Sequence, residues 1–301
     1  MLTVRARADA DAAAVAALLA ATADRTEALD PAIRLARRPG SGPALVAVGA
    51  DGALHGHVRP VEQVLDAEDP DRAYGPDRSV SWFDAAATGP DAIAALAAAI
   101  RATPVGAEAD GVLWPAVDEG WWAGIGLEPS GHYCLRPPVP LPGPLPGGVT
   151  TRAAGPDDVE AVVALHREAV AFQAAASPYV RQVPAAEAGF RSRLSTGTSS
   201  STLLEAGGRP IAVCEWWPVD GGEPDRPALL PPGRYVYLNS VAVTAGARGS
   251  GLGRALVSAA LAAADAPDGS TLWFSPSNPI ASRVWPHLGW RPIWSAWERR
   301  S

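Results

Sequence analysis

Two arginines and three glycines lie close together at residues 248–254, in the order Arg-Gly-Ser-Gly-Leu-Gly-Arg. The run follows an apolar stretch that ends at Val243 and opens a stretch rich in alanine and leucine. Glycine lets the main chain turn tightly and approach a ligand without a Cβ clash. The first N–H groups of a helix are unpaired and carry positive dipole potential. The run therefore predicts a seat for a phosphate or pyrophosphate, with Arg248 and Arg254 adding charge-assisted hydrogen bonds.

The glycine spacing alone does not identify the nucleotide. No G-K-[ST] follows the glycines, so the run is not a nucleotide-kinase loop. The order R-x-x-G-x-G also differs from the G-x-G-x-x-G of dinucleotide-binding folds. A second motif is needed to name the ligand.

Two motifs together resemble those of the GNAT acetyltransferase superfamily. V-A-V-x-x-x-x-R-G-x-G-x-G-R, over Val241–Arg254, is similar to the acyl-CoA loop of that family. N-P-I-A-S-R-V-W-P-H-L-G-W, over Asn278–Trp290, is similar to its N-x-x-A-x-x-x-Y-x-x-x-G-F segment. The resemblance implies acetyl-CoA as co-substrate, no metal, and direct attack of an amine on the thioester. Backbone N–H groups would stabilise the oxyanion.

The resemblance also implies which residues bind the cofactor. Main-chain groups at the end of the strand would bond the pantetheine arm and polarise the thioester, and the N–H groups of the glycine turn would hold the pyrophosphate. Asn278 would contact the cofactor near its sulfur or pantetheine end. Its place before Pro279 also fits a helix N-cap, and both roles can hold together. The residues so assigned are Val241, Ala242, Val243, Arg248, Gly249, Ser250, Gly251, Leu252, Gly253, Arg254 and Asn278.

The sequence departs from the family pattern at the general acid and the general base. Trp285 stands where the second motif often has a tyrosine, and an indole N–H is no useful acid at neutral pH. Tyr237 and Asn239 hold the strand positions where a glutamate base often lies. Glu215, predicted on the neighbouring strand, is a carboxylate that can reach the cleft, or else a solvated or salt-bridged residue. Glu215 and Tyr237 are the candidate catalytic residues, and catalysis by positioning alone stays open.

Composition narrows the class of protein. The 301 residues are 48% hydrophobic, which predicts a folded chain of one large domain or two ordinary ones. No apolar stretch approaches the length of a membrane span, and the first residues do not resemble a secretion signal. The net charge of -7 argues against nucleic acid as a partner. Cys134 and Cys214 suggest neither a disulfide framework nor a zinc site and fit a cytoplasmic location.

A stretch rich in proline and glycine, PPVPLPGPLPGG at 137–148, predicts an extended linker between domains at 1–136 and 149–301. Three segments recur in order in both halves: Arg5–Leu18 with Arg152–Leu165, Leu45–Val58 with Leu203–Trp216, and Trp122–Arg136 with Trp285–Arg299. The first half lacks the R-x-x-G-x-G run after its predicted strand Val80–Ala86. It is therefore interpreted as a degenerate copy, in a tandem organisation that resembles mycothiol synthase.

The pattern of the second half predicts a mixed α/β domain. Predicted strands are Val149–Ala153, Leu203–Ala206, Ile211–Trp217, Arg234–Thr244, Ser270–Phe274 and Trp294–Arg299, and predicted helices are Pro156–Gln173, Gly251–Asp265 and Pro279–Leu288. The expected fold is two tandem GNAT-like domains, each with a central, mostly antiparallel sheet flanked by helices.

These observations predict an N-acetyltransferase that uses acetyl-CoA and a small-molecule amine, acting as a monomer or homodimer, with no membrane partner. The missing tyrosine and glutamate motivate an alternative, which is a non-catalytic sensor or interaction protein that binds acyl-CoA.

Overall fold

The computed structural model describes residues 2–102, 107–118, 120–177, 180–222, 229–265 and 267–300. The first half contains β1 (Thr3–Ala6), α1 (Ala12–Leu29), β2 (Leu45–Val48), β3 (Leu54–Val64), β4 (Arg78–Ala87), α2 (Pro90–Ala102), β5 (Ala109–Pro115), α3 (Gly120–Ala123) and β6 (Glu128–Arg136). The second half contains β7 (Val149–Ala153), α4 (Val159–Ala174), α5 (Pro184–Thr196), β8 (Ser200–Ala206), β9 (Arg209–Gly221), β10 (Gly233–Val243), α6 (Leu252–Ala263), β11 (Ser270–Phe274), α7 (Ala281–His287) and β12 (Arg291–Arg300).

The strands of both halves join edge to edge in one sheet. Among the described residues it has twelve strands, in the order β1-β2-β3-β4-β5-β12-β6-β11-β10-β9-β8-β7. Only β4 with β5 and β10 with β11 pair in parallel, and the other neighbours are antiparallel. The prediction of mixed, mostly antiparallel sheets flanked by helices is confirmed, and the two sheets are continuous.

The two halves exchange their last strands. β12, from the end of the chain, pairs with β5 of the first half, and β6 pairs with β11 of the second half. The cores follow the strands, because Trp297 packs in the core around α2, and Cys134 packs in the core around α6. Arg136, at the end of β6, donates from Nε to the carbonyl of Leu288 at 2.9 Å. Each half therefore supplies a central strand to the core of the other.

The internal repeat is visible in side-chain contacts. Arg5 donates to both carboxylate oxygens of Asp11 at 2.6 and 2.8 Å, and Arg152 donates to both oxygens of Asp158 at the same two distances. In each half the same aspartate also accepts a main-chain N–H three residues earlier. The pairs tie the first strand of each half to the start of its first helix, so the sequence matches mark equivalent places in the fold.

The segment at 137–148 contains no helix or strand, but part of it is packed. Leu141 is 9% exposed and lies in the core around α6. The side chains of Arg254 and Ser258 donate to the carbonyls of Pro142 and Leu141. Residues 137–140 are exposed, and Gly147, in the later part of the segment, has open space around it.

The strand exchange predicts that neither half folds alone. Residues 1–147 or 148–301, expressed separately, are expected to aggregate, because the first fragment lacks the strand that pairs with β5 and the second lacks the strand that pairs with β11. Co-expressed, the two fragments should form one complex with a single cooperative unfolding transition, measured by size-exclusion chromatography and thermal denaturation. As a matched control, a protease site inserted after Gly147 and cut after folding should leave the fragments associated. A monomeric 148–301 fragment that unfolds cooperatively would contradict the exchange.

Candidate active site

A cleft opens where β10 and β11 part. The two strands pair only through Val236–Ser270, Tyr237–Thr271 and Leu238–Leu272, after which β10 continues to Val243 and β11 ends at Phe274. The cleft has a volume of about 550 Å³. Its walls come from the two strands, the end of α4, the start of α6 and helix α7. Main-chain groups on this edge of β10 are left without a strand partner.

A β-bulge at Asn239 decides which N–H groups face the cleft. The register of β10 against β9 shifts between Leu238 and Ser240. Before the bulge, the N–H of Val236 donates toward β11; after it, the N–H of Thr244 donates toward β9. N–H groups alternate along a strand. The bulge therefore turns the N–H groups of the strand-end residues 241 and 243 toward the open cleft.

The predicted anion seat lies open at the end of this cleft. Gly249 and Gly251 have φ of +79° and +82°, the left-handed region that favours glycine, and a Cβ at either position would meet nothing within 4 Å. Within the described residues, the main-chain N–H groups at 249–253 make no hydrogen bond, and the first bond of the helix runs from the Arg254 N–H to the Gly251 carbonyl at 3.1 Å. Five successive donors thus stand free at the N-terminus of α6.

The two arginines of the run are engaged with the protein. Arg248 donates from Nε to the carbonyl of Val243 at 3.0 Å, forms an ion pair with Glu168 at 3.3 Å, and lies over the ring of Phe172. Arg254 donates from Nε to the Pro142 carbonyl at 2.6 Å. Both still line the cleft. Their contacts hold the turn against α4 and against the linker, while the free main-chain donors face outward.

Of the remaining residues predicted to bind the cofactor, some line the cleft and others pack behind it. Val241, Ala242, Val243, Gly253 and Asn278 line the cleft, whereas Ser250 and Leu252 do not. Ser250 donates its hydroxyl to the Ala247 carbonyl at 2.6 Å, and Leu252 is buried in the core around α6. Their main-chain N–H groups still belong to the free row.

Asn278 caps a helix and also lines the cleft. Its Oδ1 accepts the N–H groups of Ile280 and Ala281, each at 3.1 Å, at the start of α7. The capping role that the sequence left open is therefore present. It orients the side chain so that the residue also borders the cleft.

Glu215 lies away from the cleft in a buried ion pair. It is 2% exposed, and within the described residues it is absent from the lining of the cleft. Oε1 accepts from Arg193 at 2.8 Å and Ser199 at 2.9 Å, and Oε2 accepts from Asn239 at 2.6 Å and Arg193 at 3.2 Å. Each carboxylate oxygen thus accepts two hydrogen bonds from the protein, which occupies its lone pairs. These contacts do not support a role as general base; they fix the bulge through Asn239.

Tyr237 is also unsuited to proton transfer. Burial raises the pKa of its hydroxyl above the ordinary value, and its ring packs at 5.0 Å from that of Trp217. It too is absent from the cleft lining among the described residues. Trp285, at the usual tyrosine position, lines the cleft and packs edge-on against Trp290 at 5.4 Å.

Sequence reasoning did not identify a histidine beneath the bulge. His166 on α4 is 2% exposed, and its Nδ1 lies 2.8 Å from the Ser240 hydroxyl, which borders the cleft. The ring stacks on Phe190 of α5, with centroids 3.6 Å apart. Burial lowers the pKa of His166 to about 4. Only the tertiary fold brings together residues 74 positions apart.

Indole rings pack together at the corresponding place in the first half. β4 and β5 also part after a short parallel pairing, which ends at Trp82 and Val112. There Trp122, the repeat equivalent of Trp285, packs edge-on against Trp114 at 5.1 Å and Trp82 at 6.0 Å, and all three are buried. Trp285, by contrast, lines the open cleft of the second half.

Comparison with known proteins agrees with this geometry. Residues 167–290 match the model of the acetyltransferase (GNAT) family. The segment at 167–290 therefore belongs to the GNAT family. Membership indicates acyl transfer, with acyl-CoA and an acceptor as the ligands of the family. No curated protein matches the chain.

Solved structures support the fold of the whole chain. A GCN5-related N-acetyltransferase from Sphaerobacter thermophilus is 15% identical, with a TM-score of 0.53 over 99% of this chain and 95% of that one. A tandem GNAT protein from the clavulanic acid biosynthesis pathway is 14% identical over 100% and 98% of the two chains, with a TM-score of 0.45. A GCN5-related N-acetyltransferase from Ralstonia eutropha JMP134 covers 48% of this chain and 94% of its own, at 23% identity and a TM-score of 0.39. Only the first of these is similar enough to bear on the fold.

A metal centre and a membrane span are both absent from the part of the chain that the structure describes. No group of three or more histidine, cysteine, aspartate or glutamate side chains is placed to hold a metal ion there. No described helix has both the length and the apolar character to cross a bilayer.

Substitution of Gly251 tests the anion seat. Gly251→Asp places a carboxylate among the free N–H groups, and we expect the Kd for coenzyme A, measured by calorimetry, to rise at least about tenfold. The left-handed φ adds a stability cost of roughly 1–2 kcal/mol.

The control for this substitution is Gly208→Asp, in the hairpin between β8 and β9. Gly208 also has a positive φ, of +74°, and open space around it. It should lose similar stability and bind coenzyme A normally. An unchanged Kd in folded Gly251→Asp protein would refute the seat.

His166 makes stability depend on pH. The folded-state pKa of about 4 lies below the usual 6.5, so between these values the unfolded chain binds a proton that the folded chain does not. The free energy of unfolding therefore falls as pH drops through this window, by roughly 2 kcal/mol at pH 5. His166→Phe should remove that part of the loss, and His287→Phe, at an exposed position on α7, should not. Urea denaturation at pH 7 and pH 5 measures the difference, and equal acid sensitivity in all three proteins would contradict it.

Proposed function

We propose that the chain is an N-acetyltransferase that moves an acetyl group from acetyl-CoA to the amine of a small molecule by direct attack. The observation that carries the proposal is the row of free main-chain donors that runs from the strand end at 241–243 to the helix start at 249–253, along one open cleft. Such a row suits a long ligand with an anionic group at one end and amide groups along its arm.

In this proposal the N–H groups at 249–253 hold the pyrophosphate. The N–H groups of residues 241 and 243 bond the pantetheine arm and stabilise the negative charge that develops on the thioester oxygen. Asn278, oriented by its capping bonds, contacts the arm from the opposite wall. Acetyl-CoA supplies the activated acyl carbon, and the residues of the cleft position it and exclude water.

The first half forms part of the acceptor side. Tyr74, from the first half, borders the cleft beside Asn239 and Trp273. Trp273 also lines a second cavity, of about 390 Å³, that continues over the exchanged strands to β4 and β5. Trp273 is 38% exposed and packs against Tyr133 of β6 at 5.0 Å. We propose that the amine approaches along this aromatic wall, and that the segment at 1–136 serves as a degenerate copy that shapes it.

A second candidate is an acyl-CoA-binding sensor without turnover. It is favoured by one observation, which is that the cleft carries Trp285 where an acid is usual, while Glu215 is consumed in an ion pair. Both candidates require the same anion seat, so cofactor binding alone does not separate them.

Release of coenzyme A distinguishes the two candidates. All 25 basic residues are arginine, so no lysine of the chain itself competes as an acceptor. We expect acetyl-CoA to bind and a thiol to appear, detected with a disulfide reagent, when primary amines such as tyramine, putrescine and glucosamine are supplied in turn. N-acetylated product should be found by mass spectrometry. Binding of acetyl-CoA with no thiol release on any amine would favour the sensor, and no binding at all would refute both.

A further inference from the structure

The pair formed by Ser240 and His166 has no part in cofactor binding as described above. Ser240 follows the bulge at the point where β10 leaves β11, and it borders the cleft. His166 lies behind it, buried, with Nδ1 2.8 Å from the serine oxygen. Stacking on Phe190 holds the imidazole in this orientation. The hydroxyl is therefore the link between the cleft and a buried nitrogen base.

The surroundings of His166 keep its imidazole uncharged at neutral pH, with a lone pair on one ring nitrogen. Its Nε2 is buried without a hydrogen-bond partner among the described residues. Glu215 favours the charged form and Arg193 opposes it, and these two form an ion pair with each other. Burial is the largest effect and lowers the pKa to about 4. At neutral pH the imidazole is therefore neutral and one ring nitrogen carries a lone pair.

Other titratable side chains of the cleft are less well placed. Arg248 and Arg254 are guanidinium groups, which donate and do not accept hydrogen bonds, and both are bonded to main-chain carbonyls. Burial raises the pKa of Tyr74. His287 lies exposed at the end of α7, on the wall opposite β10. The matched histidine control is His55 on β3, which bonds Thr88 and lines neither of the two cavities described above.

We infer that Ser240 and His166 form the proton relay of the acetyl transfer, with Ser240 touching the attacking nitrogen and His166 acting through it. The inference rests on the proposed function. The amine nitrogen bonds to the acetyl carbon, the carbon–sulfur bond breaks, and its electron pair stays on sulfur. The proton leaves nitrogen for Ser240 Oγ while the hydroxyl proton passes to His166 Nδ1. The reverse path returns it to the thiolate, leaving an amide, a free thiol and a neutral imidazole.

Transfer of the proton from the His166 imidazolium to the departing thiolate is energetically favourable. The pair therefore supplies the proton that a tyrosine acid would otherwise donate. A thiol has an ordinary pKa of about 8.5. An imidazolium held in a buried, apolar site is a much stronger acid than that. The same pair therefore takes the proton from nitrogen and delivers it to sulfur without a further reagent. The step requires Nε2 to carry the resting proton, so that Nδ1 accepts from Ser240.

Kinetics of four variants test the relay. Thiol release from acetyl-CoA is measured with the three amines named above and with water alone, and acetyl-CoA affinity is measured by calorimetry. Ser240→Ala and His166→Gln are expected to lower kcat by about 10²-fold or more, with the Kd for acetyl-CoA within twofold of wild type. Ser240→Thr, which keeps a hydroxyl, should recover part of the rate, and His55→Gln, in the first half, should stay within twofold of wild type.

The pH profile separates a relay from a merely structural role. Without the relay, the proton must leave to solvent, so the deficit of Ser240→Ala is expected to shrink steadily from pH 6.5 to pH 9.5. A structural defect would lower the rate by a constant factor. Nitrogen NMR of the histidine rings adds a readout that needs no acceptor: at pH 7, the His166 signal should be that of a neutral ring protonated on Nε2.

The outcomes for the relay and for the proposed function differ. Wild-type turnover with a Ser240→Ala rate within threefold, a pH-independent deficit, or an Nδ1-protonated His166 would overturn the relay and leave the acetyltransferase intact. Wild-type protein that releases no thiol with any amine or with water would overturn both.

Discussion

The parting of β10 from β11 is the constraint on which the site depends. A strand that loses its neighbour leaves main-chain donors and acceptors unpaired, and such groups are costly unless water or a ligand meets them. The bulge at Asn239 turns the N–H groups of residues 241 and 243 into the gap, and the glycine turn extends the row by five donors. The cleft is thus built from the main chain, and side chains such as Arg248 and Glu168 hold it in place instead of filling it.

The strand exchange explains why the chain keeps a half without an anion seat. Three indoles pack where β4 and β5 part, and the run of glycines that forms the anion seat of the second half has no counterpart after β4. Yet its β6 lies against β11, beside the cleft, and Tyr133 on that strand supports Trp273. Loss of the first half would remove both a central strand and one wall of the acceptor side. In this arrangement the first half contributes a strand to the core of the second half and a side chain, Tyr74, to the lining of the cleft.

The positions of strands and helices along the chain could be predicted from the sequence, whereas contacts between distant segments could not. The strand at Arg234–Thr244 and the helix at Gly251–Asp265 were placed within two residues of β10 and α6, because the period of apolar residues and the glycine turn act on neighbours along the chain. Helix α5 was not predicted, although Pro184 begins it and Gly197, at φ +69°, ends it. Its face toward the core is narrow, with Ala186 and Phe190 as its buried residues. Because α5 supplies Arg193, the ion pair between Arg193 and Glu215 was not predicted either. The exchange could not be predicted either, since the alternation in β12 suits β5 as well as β11.

The ion pair buried under the bulge explains why proton transfer in the cleft would use uncharged side chains. Arg193 and Glu215 place a compensated ion pair under the bulge, where an unpaired carboxylate would repel the phosphates and thioester oxygen of the proposed co-substrate. Because of this ion pair, Glu215 does not serve as the base that the sequence suggested. The ion pair leaves the neutral imidazole of His166, which meets the cleft through the Ser240 hydroxyl, as a buried nitrogen base beneath the bulge. A cleft that binds a polyanion through uncharged main-chain donors therefore favours proton transfer through uncharged side chains as well, and the serine hydroxyl at the bulge is the group that reaches from one to the other.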